Sequence, residues 1–448
     1  MKKLSYRDRG YASRLEQLNR ASDIDMQVRR SVRGILADVL EKGDKAIVDI
    51  TNRYTSAPIT RSSLQLKGRV KAPAPEVQTA FKRSIRNIEK FNKVGIPKSW
   101  KGRNHEGAQV GERYDPFERV GVYVPGGTAP LASTALMTVT LAKIAGVKEI
   151  VVCSPPPINP TMHYAIKLAG ATEIYQTGGA QAIGAMAYGS SSIKPVQKIV
   201  GPGNAYVVEA KRQVFGVVDI DLLPGPSEVA VLADKSSQPA YVAADLLAQA
   251  EHGPGSKIFL VSPDKQFIEA VVKEIDLQME SLERQAYLKE TLNLGAYLIH
   301  VQSLAAGIKA IEQIAPEHVS ISCKEADAIA AKIQNCGCVF IGPLSPVACG
   351  DYAAGPSHTL PTGGAGKSFA GLCITDFFRR TSFVKYDRPA LTKIRKTVET
   401  MAEIEGMGAH KSSVSVRFIA KKAKSVKKAK STGAKTSKKA VTNKRKKK

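Results

Sequence analysis

The sequence predicts an α/β protein built on parallel sheets. Three observations carry that reading. From about residue 119, short β-rich runs alternate with helical stretches. Several of these runs pass into their helices through glycine-bearing turns. Hydrophobic residues make up 43% of the 448-residue chain, enough for sizeable cores in the two or three domains such a length allows.

The elements follow in order. To about residue 95 the chain reads as helical, because VRRSVRGILADVLEKG and PEVQTAFKRSIRNIEKFNKV repeat apolar residues at three- and four-residue spacing. Asp23 and Gly43 are start and stop signals around the first of these. RVGVYV then leads through PGG into the helix LASTALMTVTLAKIAG. EIVVC, a helix through HYAIKLAG, EIYQT, a helix at QAIGAMAYG and the strand QKIV come next. GPGNAYVVEAKRQVFG and VVDI complete this stretch. After GPSEVAVLAD a helix runs to about His252, followed by KIFLVS and further helices. The last ordered element is a helix from about Pro389 to Glu405. Beyond VSVRFIA the composition collapses to Lys, Ala, Ser and Thr. Such a segment lacks the apolar surface to offset its ordering entropy, so disorder is expected from about residue 421.

Charge is unevenly placed. Residues 421–448 hold 14 Lys/Arg and no acid, and removing them takes the net charge from +26 to +12. No apolar run approaches the roughly 18 residues of a membrane span. MKKLSYRDRGYASRLEQ has no apolar core or small-residue cleavage site, so a cytoplasmic protein is expected. The six cysteines are scattered without zinc-site spacing and are expected to be buried, reduced thiols.

Candidate chemistry comes in separate pieces. GVYVPGGTAP and GPGNAYV are strand–glycine–helix junctions that offer backbone N–H groups to a phosphate, although ordinary βα turns look the same. Gln249 and His252 lie three apart near a helix end, on one face. Histidine is a common zinc ligand and glutamine an uncommon one, and in isolation His252 reads as a satisfied polar residue before it reads as a metal ligand. Asp351 and His358 share a Gly- and Pro-rich loop, either a functional loop or a turn. Glu405 and His410 are five apart, too far round one helix to share a target. Gly406 and Gly408 suggest that the helix ends between them, leaving His410 on an arm. Glu317 and His318 are adjacent before a strand-like run, a histidine base beside a carboxylate able to activate water.

Taken together, GVYVPGGTAPLASTALM, TGGAQAIGAMAYG, KIVGPGNAYV, GPSEV, LLAQAEHGP, APEHVSI, GDYAAGPSHTLPT and EGMGAHK resemble, in this order, the signature blocks of the histidinol dehydrogenase family. The resemblance spans roughly residues 10 to 418. It implies two α/β domains resembling incomplete Rossmann folds, with small mainly helical terminal domains. The first α/β domain, for substrate and metal, would hold residues 18–120 and 229–371, and the second, for NAD, residues 121–228. An N-terminal helical segment, 1–17, would pack with a helical domain, 372–398. Residues 399–420 would be an arm swapped in a homodimer, ahead of the tail 421–448.

The resemblance also implies roles. Zinc would be held by Gln249, His252, Asp351 and the His410 of a second copy. L-Histidinol would be bound by Ser227, Gln249, His252, His318, Asp351, Glu405 and His410, with His358 helping to position it. NAD would be contacted by Tyr123, Gln181 and Asn204, and Glu317 and His318 would be the acid–base pair. The expected reaction is oxidation of L-histidinol through the aldehyde to L-histidine, reducing two NAD. The chain departs from the family pattern at Leu222-Leu223-Pro224, where the family commonly has a Met-Pro-Ala run, and at Ser357, where many members have Asn.

Two rivals stand beside this expectation. One is a zinc-dependent NAD dehydrogenase of the same fold acting on another alcohol, such as a sulfonated diol. Glu405 argues against an anionic group beside it. The other is nucleic-acid or acidic-surface binding through the basic tail, which has no aromatic residue for stacking on bases.

Overall fold

The computed structural model describes residues 1–18, 25–126 and 131–419. The start signal at Asp23 and the tail 421–448 lie outside them. The described chain divides into two compact units, Met1–Ser99 with Glu112–Thr381, and Trp100–Gly111 with the residues from Ser382 onward.

The alternation of strand and helix builds two parallel sheets in the first unit. One has five strands, in the order Glu173–Gln176, Glu149–Ser154, Arg119–Tyr123, Lys198–Val200, Asp219–Ile220. Counted along the chain from Arg119, this is the order 3-2-1-4-5, a dinucleotide-binding sheet lacking its sixth strand. The strands are apolar on both faces, as a sheet covered on both sides requires. The other sheet has Ala296–His300, Lys257–Ser262, Glu228–Ala233, His318–Ser322 and Cys338–Ile341 in the same 3-2-1-4-5 order.

The chain's first residues extend this second sheet. Lys2–Ser5 is a strand paired in parallel with Ala296–His300, and Leu4 and Leu15 enter the core beneath that sheet. Residues 1–17 therefore do not form a purely helical segment packed on 372–398. A four-residue edge strand with one buried side chain shows no periodicity to read.

The expected grouping of 18–120 with 229–371 is likewise corrected. Helices Met26–Lys42 and Asp44–Asn52 send Val32, Leu36, Val39, Ile47 and Ile50 into the core that holds Tyr123, Ile183 and Val207, on the five-stranded sheet. Helix Pro75–Lys93 places Ile88 in the core on that sheet's other side. Periodicity shows that a helix has an apolar face; it does not say which sheet the face covers.

The piece 372–398 is not simply helical either. It carries the strand Phe378–Lys385, and the helix Arg388–Ile404 runs through its expected boundary. In the second unit that helix packs on Gly408–Ser415, with Arg388 and Arg395 over the Phe418 ring. All six cysteines are free thiols. Cys153 and Cys323 are buried as expected, but Cys336, Cys338 and Cys373 are only partly buried and Cys349, on the short helix Val347–Tyr352, is exposed. Among the described residues no helix is long and apolar enough to cross a membrane.

Candidate active site

The expected acid–base pair, Glu317 and His318, lies where two neighbouring strands of the six-stranded sheet begin. His318 opens the strand His318–Ser322 and sits opposite Val229 of Glu228–Ala233. Both Glu317 and His318 are buried. His318 Nδ1 donates to the backbone carbonyl of Glu228 at 2.9 Å. That bond leaves Nε2 with a lone pair, 3.9 Å from an Asp351 carboxylate oxygen. Burial lowers the His318 pKa against the pull of Asp351, which favours the neutral ring.

Glu317 is held by its neighbours on the facing strand. Its Oε2 accepts the Ser227 hydroxyl at 2.6 Å and the Glu228 N–H at 2.9 Å. Among the described residues no hydrogen bond engages Oε1. Burial is the largest influence and pushes Glu317 up to about 7; the two hydrogen bonds and His252 oppose it, and Asp351 adds to it. A carboxyl poised there suits proton exchange with water.

The expected metal ligands gather around this pair. Gln249 lies in the last turn of helix Pro239–Ala250, with His252 just past its end. The buried side-chain nitrogen of Gln249 has no hydrogen-bond partner. An orphaned buried amide, whose oxygen and nitrogen exchange by a flip, is a group that a ligand would satisfy. His252 is exposed, yet near enough for its charge to act on Glu317 and His358. Asp351 ends the short helix Val347–Tyr352, and its own carbonyl accepts from His358 Nδ1 at 3.0 Å. Among the described residues no three His, Cys, Asp or Glu side chains cluster to hold a metal by themselves. The expected set contributes one histidine, one aspartate and one glutamine from this unit. Its nitrogen and oxygen donors suit a borderline divalent ion.

Glu405 and His410 belong to the second unit and are exposed there. Gly406, with φ +69°, breaks the chain between Arg388–Ile404 and Gly408–Ser415, so the two side chains do not share one helix.

The expected NAD contacts lie at the carboxyl end of the five-stranded sheet, at the switch point between its first and fourth strands. Tyr123 ends the first strand, is buried, and accepts the Gly179 N–H at 3.1 Å. Gln181 follows in helix Gly179–Tyr188. Asn204, just after the fourth strand, caps helix Ala205–Val214. Gly201 has φ +116°, and a Cβ there would lie 2.2 Å from the Tyr123 carbonyl oxygen, so only glycine fits.

His358 joins the two regions. Its Nε2 lies 3.4 Å from the hydroxyl of Thr134, on the helix that follows the first strand of the five-stranded sheet. The contact links the stretch that carries Asp351 and His358 to the end of that sheet where the expected NAD contacts lie. Two departures noted in the sequence leave the site intact: Ser227 still reaches Glu317 despite Leu222-Leu223-Pro224, and the Ser357 hydroxyl accepts from Thr359 N–H at 3.2 Å. Glu228 and Thr134 are site residues that sequence reasoning missed. Glu228 stood in plain view beside Ser227 in GPSEV, but its part is played by its backbone carbonyl and N–H, which almost any residue supplies.

A dinucleotide-type parallel sheet and a buried Glu-His pair, joined through the His358–Thr134 contact, are the parts of an α/β oxidoreductase. A family profile described as histidinol dehydrogenase matches residues 18–418. The histidinol dehydrogenase of Listeria innocua is 40% identical over 413 residues, covering 90% of this chain and 96% of that protein. The histidinol dehydrogenase of Gluconobacter oxydans is 38% identical over 428 residues, covering 93% and 99%. The crystal structure of histidinol dehydrogenase from Elizabethkingia anophelis matches with a TM-score of 0.87 at 33% identity, covering 93% of this chain and 98% of that one. The chain belongs to the histidinol dehydrogenase family.

Proposed function

We propose that this chain oxidises L-histidinol through L-histidinaldehyde to L-histidine, reducing two NAD, in the cytoplasm and as a homodimer. Zinc would be held by Gln249, His252 and Asp351 with His410 of a second copy. Bound there, it would orient the substrate through its imidazole and amino nitrogens. NAD would lie along Tyr123, Gln181 and Asn204 and supply the hydride acceptor. Ser227, His318 and Glu405 would complete the substrate contacts.

The observation that carries this reading is the orientation of His318. With Nδ1–H tied to the Glu228 carbonyl, its buried Nε2 is the atom that takes the hydroxyl proton in the alcohol step. Glu317, fixed through Oε2, has Oε1 to accept a proton from the water that adds to the aldehyde. As the hydrate forms, His318 Nε2 returns its proton to the former aldehyde oxygen, and it is then free to take a hydroxyl proton of the hydrate in the second oxidation. His358 holds Asp351 through its backbone and keeps the loop against Thr134. The test is histidinol-dependent NADH formation alongside metal content, before and after chelation. Two NADH per histidinol, lost on chelation and restored by zinc, is the expected result; formation indifferent to chelation removes zinc from the reading.

The tail carries a separable activity in this proposal, weak binding of nucleic acid through its 14 cations. DNA retention at low salt that disappears on deleting residues 421–448 supports it, and no retention removes it.

A further inference from the structure

We infer that helix Pro75–Lys93 is a clamp on the Asp351 loop, with Ser84, Asn87 and Asn92 as positioning residues for the zinc ligand Asp351 and for His358. The inference rests on the zinc reading above. Asp351 and Tyr352 end a six-residue helix, whose last carbonyls have no partners within the helix. Three side chains from the distant helix supply donors to this stretch. Ser84 hydroxyl donates to the Tyr352 carbonyl at 2.6 Å, Asn87 amide to Ala353 at 2.8 Å and Asn92 amide to Gly355 at 3.1 Å. Ser84 and Asn92 are buried.

The fit at the turn is close. Gly355 has φ +118°, and a Cβ there would lie 2.8 Å from the Phe91 Cβ and 2.9 Å from the Asn87 carbonyl oxygen. The backbone can lie flat on the helix only because residue 355 is glycine. Three residues later comes His358, which bonds back to the Asp351 carbonyl. The loop is therefore closed on one side by His358 and gripped on the other by the helix. Displacing residues 352–355 moves both ends of it.

The same helix is anchored to the cofactor sheet, since Ile88 shares a core with Val120, Val122 and helix Ala132–Ala145. The clamp thus sets where the metal ligand stands relative to the NAD end. Groups that bond a metal's ligands directly commonly affect its affinity by about 10–100-fold, and Ser84 and Asn87, which act one residue further along the backbone, belong at the low end of that range.

The test uses the full-length protein and two binding measurements, zinc affinity by chelator competition and NADH affinity by fluorescence. Asn87 is exposed, so Asn87→Ala removes one bond without opening the core. Ser84→Ala and Asn87→Ala are each expected to weaken zinc by about tenfold. NADH affinity should stay within about twofold. Ser84→Thr, which keeps the hydroxyl, restores zinc binding, and Gly355→Ala weakens it as the alanines do. Unchanged zinc affinity in Ser84→Ala and Asn87→Ala, while Asp351→Ala loses it, overturns the clamp alone. Equal losses for zinc and NADH also overturn it, since they mark general destabilisation. Zinc affinity unaffected by Asp351→Ala overturns the zinc reading and the clamp with it.

Discussion

At the scale of single residues, the site separates two carboxyl and imidazole tasks by hydrogen bonding. His318 has one nitrogen committed to a carbonyl and one available, whereas Glu317 has one oxygen committed and one available. On the proposed mechanism His318→Asn removes the proton acceptor of both oxidations, so kcat for histidinol and for histidinaldehyde should each fall by about 10²–10⁴-fold. Glu317→Gln keeps the shape but cannot take a proton from water. It should spare histidinol oxidation relative to aldehyde oxidation in single-turnover measurements; equal losses would remove the water-activating role from Glu317. A second residue-scale device lies beneath the cofactor end. Lys211 and Asp221 form an ion pair with both side chains wholly buried, and between them they bond the Gly201 carbonyl and N–H. Lys211→Met leaves a buried carboxylate unpaired, at a cost of about 3–5 kcal/mol. Urea unfolding should show that loss, and Lys211→Met/Asp221→Leu should recover much of it.

At the scale of elements, the amino end of the five-stranded sheet is pinned by charge. Arg119, at the start of its first strand, makes a two-pronged bond to Glu173 at 2.6 and 2.9 Å and also contacts Glu149. The bond from Arg119 is the largest influence on Glu173 and holds its pKa below the ordinary 4.5. A carboxylate whose folded pKa is depressed stabilises fully above its unfolded value, and that contribution disappears as pH falls through the folded one. The gap in thermal midpoint between the wild type and Glu173→Gln should therefore be full above about pH 4.5 and close below it. A gap that stays constant down to pH 3 would show that the pair contributes nothing through ionisation. Element types were legible wherever the pattern was long. Helices such as Pro75–Lys93 and strands such as Lys257–Ser262 stand where spacing and β-branched runs put them. Lys2–Ser5 was not legible, because its partner lies nearly three hundred residues away and only Leu4 is buried. Removing residues 1–5 should expose the edge Ala296–His300 and lower the thermal midpoint, a measurable cost for a strand invisible in local pattern.

At the scale of the whole molecule, the proposed reaction uses two sheets that share a 3-2-1-4-5 core at opposite ends. The five-stranded sheet presents the carboxyl ends of its strands, as open α/β sheets generally do, but the six-stranded sheet presents the amino ends, where Ser227, Glu317 and His318 lie. That inversion could not be read from the chain, since strand order comes from pairing between distant segments. The candidate residues were legible as ordered blocks, but their placement was not: Gln249, Asp351 and His318 come from the last turn of one helix, the end of a short second helix and a strand start. Glu405 and His410 sit exposed in the second unit, and this makes the dimer the natural place to test the proposal. Asp351→Ala and His410→Ala should each be inactive alone. If His410 serves the site of the other copy, a mixed dimer places both defects in one site and leaves the other intact. Random mixing by unfolding and refolding equal amounts makes half the dimers mixed, so about a quarter of wild-type activity should return. If His410 completes the site of its own chain, every site in the mixture carries a defect and no activity returns.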